Sequence, residues 1–269
     1  MDALITNNPH LIGLLIALVI PFAGNTLGAS FAVFMRGQMG ERFEKALSGF
    51  AGGVMIAASV FSLILPALEA AEKGPVPAWL PVAGGFLGGM LLLLAIDHFT
   101  PHLHAGSEEP EGVPSTLEKP TMMLLALAIH NLPEGMAVGV VLAAFLGGDP
   151  TISLAAVTAL SVGIAIQNIP EGAIVSMPLR SQGVSRLKAF AMGTGCGAVE
   201  PVGALIMVAI TGLATPFLPY VLAFAAGAMM YVVTEELIPQ TQRGAHTNIG
   251  TIGVALGFVL MMILDVSLG

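Results

Sequence analysis

The sequence predicts an all-α, polytopic membrane protein, and three observations carry that prediction. Of its 269 residues 55% are hydrophobic and only 10% charged, with a mean hydropathy of +0.89, whereas a soluble domain carries about 25% charge. The apolar residues gather into eight runs, each near the roughly 20 residues needed to cross a bilayer. Most connections are short and hold Gly, Pro or charge, as in Lys73-Gly74-Pro75 and Gly147-Gly148-Asp149-Pro150.

In order, the expected spans are His10–Phe34, Leu47–Ala70, Trp79–Phe99, Thr121–Leu146, Thr151–Met177, Leu187–Gly212, Pro216–Pro239 and Ile249–Leu268. Together they make residues 1–269 one transmembrane domain. No basic n-region precedes the first run, which begins after Met1-Asp2-Ala3-Leu4, so that run is expected to be a retained span rather than a signal peptide. The longest connection, Pro101–Pro120, is acidic (Glu108, Glu109, Glu111, Glu118) with His102 and His104, and is expected to be a flexible cytoplasmic loop.

Orientation follows from the basic residues, which accumulate in cytoplasmic loops. With the N-terminus outside, the inner loops hold Arg36, Arg42, Lys45, Lys119, Arg180, Arg186, Lys188 and Arg243, and the outer loops only Lys73. Both termini are therefore expected on the outer side of a plasma or inner membrane. Nine Lys and Arg form no basic face for nucleic acid. The formal charge of −8 is spread through apolar segments rather than gathered in a partner-binding tail, and the single Cys196 rules out an internal disulfide. Glycine pairs at helix-contact spacing (Gly49/Gly53, Gly84/Gly88, Gly85/Gly89, Gly193/Gly197, Gly253/Gly257) allow close backbone approach.

Two cassettes break the apolar pattern: His130-Asn131-Leu132-Pro133-Glu134-Gly135 and Gln167-Asn168-Ile169-Pro170-Glu171-Gly172. Residues four apart share a helix face, so His130 sits above Glu134 and Gln167 above Glu171. Spans four and five are consecutive and antiparallel, which lets the four side chains converge near one depth. An imidazole, an amide oxygen and two carboxylates suit Zn²⁺ and neighbouring divalent metals. Ca²⁺ prefers an all-oxygen shell. Pro133 and Pro170 free the carbonyls of Ile129 and Ile166, and such breaks within a bilayer persist only where protein, water or an ion satisfies the backbone.

The alternative is that each Glu is a structural hydrogen-bonding group between helices. An acid at mid-span costs roughly 2.5–3.5 kcal/mol, so Glu134, Glu171 and the mid-span Glu200 together cost about 7–10 kcal/mol, comparable with a protein's net stability. No Lys or Arg lies mid-span to neutralise them. A cation does so directly. Cys196, one turn before Glu200, is either a thiolate donor or small packing.

The cassette pair, the eight spans and the outward termini resemble the Zrt/Irt-like (ZIP) metal transporters over essentially the whole chain. The resemblance implies inward transport of divalent transition metal, chiefly Zn²⁺, with Cd²⁺, Fe²⁺ and Mn²⁺ as other substrates and no cofactor. It implies a 3+2+3 arrangement, in which spans one to three and six to eight form an inverted repeat around spans four and five, and often a homodimer. Carried over by position, His130, Glu134, Gln167 and Glu171 form a primary site. Asn131, Asn168 and Glu200 form an adjacent second site bridged by Glu134 and Glu171. Met55 matches a methionine that joins the primary site in some members. Many members have His where this chain has Gln167. Related proteins can have a carboxylate where it has Asn168, and a neutral amide weakens the second metal.

The remaining acids divide between two mouths. Glu69 and Asp265 leave the membrane on the outer side, where a one-sign rim concentrates cations. On the inner side Asp97, His98 and His102 end span three and Glu235 and Glu236 end span seven. With His104 and His246 they make an exit relay or a cytoplasmic sensor. Two rival functions use similar donors. An intramembrane metalloprotease needs His-Glu-x-x-His, which neither cassette supplies, and a membrane metal receptor without transport would need a signalling domain for which no connection has room.

Overall fold

The computed structural model describes residues 8–34, 40–72, 74–103, 109–181, 183–211 and 217–268. Among them are eight helices long and apolar enough to cross a membrane: α1 (Pro9–Phe34), α2 (Glu41–Ala71), α3 (Trp79–Phe99), α4 (Lys119–Leu146), α5 (Leu154–Ser181), α6 (Arg186–Thr211), α7 (Leu218–Gln242) and α8 (Ile249–Leu268). The all-helical, multi-pass expectation is met, and the described residues contain no strand beyond one isolated bridge between His102 and Glu111. Arg36, Lys73, His104 and Glu108 lie outside the described residues.

Local chemistry sets the ends and irregularities of these helices. Pro120 and Pro219 sit in the first turns of α4 and α7, where a missing N–H costs nothing. Ser185 caps α6, its Oγ accepting from the Lys188 N–H at 3.4 Å. Inside α2 and α7 the chain takes one wider turn, Ser59–Ile64 and Val233–Leu237, each followed closely by a proline, Pro66 and Pro239. A proline ring removes one hydrogen bond of a regular α-helix and crowds the carbonyl four residues before it. The extra residue accommodates it, with Leu65 N–H bonding the Val60 carbonyl and Ile238 N–H bonding that of Val233. α6 is interrupted at Ala198, just before Glu200-Pro201.

Glycine decides which helices pair most closely. α1 lies against α5, and a Cβ on Gly24 or Gly28 would overlap the carbonyls of Ala165 and Ile169. α4 meets α6 in the same way through Gly135, α2 meets α8 through Gly53, and α3 meets α7 through Gly89. Of the glycine pairs on α3, Gly85 and Gly89 face the α7 backbone, whereas Gly84 and Gly88 meet only the rings of Tyr220 and Phe224.

Two four-helix bundles result, α1/α4/α5/α6 and α2/α3/α7/α8. Across the seam between them Met261 of α8 fills the space over Gly163 of α5. The main apolar core contains residues of both bundles, including Met55, Leu63, Leu142, Leu160, Ile164, Leu222 and Met229. Outward, Leu87, Leu91 and Leu94 on α3 and Ile252, Leu256, Val259 and Ile263 on α8 are exposed. Their spacing makes continuous apolar stripes, which lipid tails are suited to solvate.

Candidate metal centre

Both cassettes lie mid-helix, on α4 and α5, with Pro133 and Pro170 inside the helices. The structure buries Asn131, Glu134, Gln167, Asn168, Glu171 and Glu200. Gln167 Nε2 donates to Glu134 Oε1 at 2.7 Å, tying α5 to α4. Asn168 Nδ2 donates to Glu200 Oε2 at 2.8 Å and to the Pro21 carbonyl at 3.2 Å, tying α5 to α6 and α1. Glu134 is thereby paired with Gln167, and Asn168 with Glu200.

The amide donors of Gln167 and Asn168 do not satisfy all the oxygens of this cluster. Buried oxygens with no hydrogen-bond partner include Glu134 Oε2, Gln167 Oε1, Asn168 Oδ1, Glu171 Oε1 and Glu200 Oε1. Native proteins leave few buried polar atoms unsatisfied, and inside a bilayer the cost is greater still. Five such oxygens lie on α4, α5 and α6, and carboxylate and amide oxygens are groups that a divalent cation can satisfy.

The His130 Nε2 contacts Glu236 Oε2 of α7, across the seam. His130, Glu171, Glu236 and Gln240, with Leu127, Ile174, Val232 and Leu237, line a cavity of about 20 Å³, room for one water-sized occupant. Met55 is fully buried in the apolar core, one turn before the wide turn of α2. Asn131 is buried, with its Nδ2 unpartnered. The Cys196 thiol donates to the Leu124 carbonyl at 3.5 Å, a packing arrangement.

At one end of the molecule Asp265 accepts from Ser62 Oγ at 2.6 Å, linking α8 to the wide turn of α2, and Glu69 is exposed two turns beyond. At the other end Asp97, His102 and Glu111 bring one ligand atom each within 4.8 Å of the others. His102 is fully buried, its Nε2 3.1 Å from Asp97 Oδ1 and its Nδ1 2.8 Å from the Thr100 carbonyl. Burial alone would lower the His102 pKa. The Asp97 hydrogen bond, the Thr100 carbonyl and the charges of Asp97 and Glu111 outweigh it and hold the value above that of a free histidine. Glu235, His98 and His246 are exposed, and His104 lies outside the described residues.

Sequence reasoning missed Glu111 as a partner of His102, and it missed Gln240 and Ser48 altogether. Gln240 Nε2 donates to Glu236 Oε1 at 2.8 Å, and Ser48 Oγ donates to Gln240 Oε1 at 2.9 Å. A signal for Gln240 was present: Glu236-Leu237-Ile238-Pro239-Gln240 repeats the cassette pattern of polar groups at i and i+4 with proline at i+3.

Comparison with known proteins accords with this geometry. The family described as ZIP Zinc transporter matches residues 120–265. The chain is 41% identical over 254 residues to zinc transporter ZIPB of Bordetella bronchiseptica, an alignment covering 92% of this chain and 79% of that protein. It is 37% identical over 261 residues to zinc transporter GufA of Myxococcus xanthus, covering 95% and 98%. Against zinc transporter ZIP11 of Homo sapiens the identity is 34% over 326 residues, covering 91% and 94%. Eight membrane-crossing helices, an acid-rich centre on α4–α6 and these matches lead to one conclusion: the chain belongs to the ZIP family of zinc transporters.

Proposed function

We propose that this protein moves Zn²⁺ into the cytoplasm by alternating access, with Cd²⁺, Fe²⁺ and Mn²⁺ as further substrates. The observation that carries the reading is the cluster of five unsatisfied oxygens on Glu134, Gln167, Asn168, Glu171 and Glu200. In this reading His130, Glu134, Gln167 and Glu171, with Met55, hold the first ion. Asn131, Asn168 and Glu200 supply a weaker second site. Both termini face outward. Ions gather at Glu69 and Asp265 and leave past Glu236, Glu235, Asp97 and His102.

The packing supports motion of one bundle against the other. Exchanging α1–α3 with α6–α8, and α4 with α5, maps the close pair α1/α5 onto α6/α4 and α2/α8 onto α7/α3. That is the pattern expected of a 3+2+3 inverted repeat. Glycine-to-backbone contacts hold each bundle together, and the cassette donors and Glu200 sit on the α1/α4/α5/α6 side of the seam, with Met55 on the other. A homodimer in the bilayer is compatible with the apolar stripes of α3 and α8.

The test is uptake of radiolabelled zinc by proteoliposomes holding the purified protein. Zinc accumulation in wild type, lost in Glu134→Ala and Glu171→Ala, supports the reading. Metal binding without flux would make the protein a receptor and overturn it. Because the ligands must be deprotonated to bind metal, uptake weakens as external pH falls toward about 4, where a free glutamate side chain takes up its proton.

A further inference from the structure

The cavity between His130 and Glu236 spans the seam. His130 and Glu171 belong to the α1/α4/α5/α6 bundle, and Glu236 and Gln240 to the other. The α7 sequence Glu236-Leu237-Ile238-Pro239-Gln240 is laid out like the cassettes, yet its second polar group is a neutral amide where theirs is a carboxylate. The wide turn Val233–Leu237 contains Glu236, which points at His130.

Gln240 is held in one orientation. Its carbonyl oxygen accepts from Ser48 Oγ at 2.9 Å, and its amide nitrogen donates to Glu236 Oε1 at 2.8 Å. Turned over, the amide would set oxygen against carboxylate oxygen, so Glu236 selects the orientation and the Ser48 hydroxyl holds the amide in place. Ser48 and Gln240 are both buried, which keeps water from replacing either bond. One oxygen of Glu236 is therefore engaged, and the other, Oε2, is directed at His130.

We propose that Gln240, held in place by Ser48, is a positioning residue that limits Glu236 to one coordinating oxygen and so hastens inward release of the cargo ion. A carboxylate offering one oxygen holds a divalent ion less tightly than one free to offer both. The inference rests on the transport reading above. Gln240 itself touches Glu236 and acts through it.

The experiment is zinc uptake by proteoliposomes with wild type, Gln240→Met, Ser48→Ala, Glu236→Gln and the double variant Glu236→Gln/Gln240→Met. Gln240→Met lowers turnover about tenfold, the order set by one hydrogen bond to a charged group, and lowers the half-saturating zinc concentration with it. Ser48→Ala shifts both in the same direction by less. In the Glu236→Gln background Gln240→Met adds nothing, which distinguishes positioning from general structural damage. Unchanged turnover in Gln240→Met, or an equal fall in the Glu236→Gln background, overturns the proposal. Should Gln240→Met fail to fold, Ser48→Ala decides, and unaltered kinetics there count against it. Absence of zinc flux in wild type would instead reject the transport reading.

Discussion

Replacing Asn168 by aspartate should weaken the metal-free protein and strengthen its response to zinc. Asn168 Nδ2 makes two buried hydrogen bonds, to Glu200 Oε2 and to the Pro21 carbonyl. Aspartate has no N–H to offer either acceptor, and it sets a carboxylate against a carboxylate at the 2.8 Å position. A hydrogen bond to a charged group contributes about 1.5–3 kcal/mol and a neutral one about 0.5–1.5, so the loss is about 2–4 kcal/mol before repulsion is added. That corresponds to a fall of several degrees in unfolding temperature, at roughly 2–4 °C per kcal/mol for chains approaching this size. Zinc offsets part of that loss, because the new carboxylate is a ligand. A tenfold gain in affinity adds about 1.4 kcal/mol of stabilisation at saturating metal. The assay is thermal unfolding of the detergent-purified protein with and without zinc, with metal per chain measured by equilibrium dialysis. An unfolding temperature unchanged without metal, together with a zinc-induced rise no larger than in wild type, would refute the reasoning.

Three further outcomes are expected. Gly53→Leu places a side chain against the Val254 carbonyl, so α2 and α8 must separate; overpacking of this kind costs about 1–3 kcal/mol or more, read as lower folded yield and earlier thermal unfolding. Folding raises the His102 pKa, so the stability it contributes is fully present below about 6.5, the unfolded value, and is lost as pH rises through the folded value; limited proteolysis between residues 100 and 112 should quicken across that range in wild type and lose the step in His102→Gln. A double Glu69→Ala, Asp265→Ala variant should take up zinc more slowly at low ionic strength, with the difference shrinking as salt screens the outer rim; equal rates at low salt would reject a role for that rim.

The helices were legible because hydrocarbon imposes a length and an apolar composition on any helix that crosses it. Their ends were less so: α2 begins at Glu41 rather than Leu47, because the polar turn Glu41–Glu44 continues the helix beyond the apolar run. The cassettes announced themselves as carboxylates and prolines where neither belongs. The partner of His130 did not, since turning Glu236 toward it depends on the extra residue in α7, and no periodicity reveals that. Nor could spacing choose between Gly84/Gly88 and Gly85/Gly89, which differ by one helical step. Only the placement of α7 separates them. The clustering of Asp97, His102 and Glu111 depends on a backbone bridge across the loop, and the acidic composition of that segment gave no sign of it.

Methionine accounts for 15 residues of this chain, and five of them (Met55, Met136, Met207, Met229 and Met261) lie in the core shared by the two bundles. A thioether chain has three rotatable bonds and a polarizable sulfur, so it refills irregular gaps that branched side chains would leave empty. A boundary furnished this way can be close-packed in more than one register at similar enthalpy. Exchanging these residues for leucine or isoleucine would be expected to favour one register, giving a tighter protein that is slower to change shape.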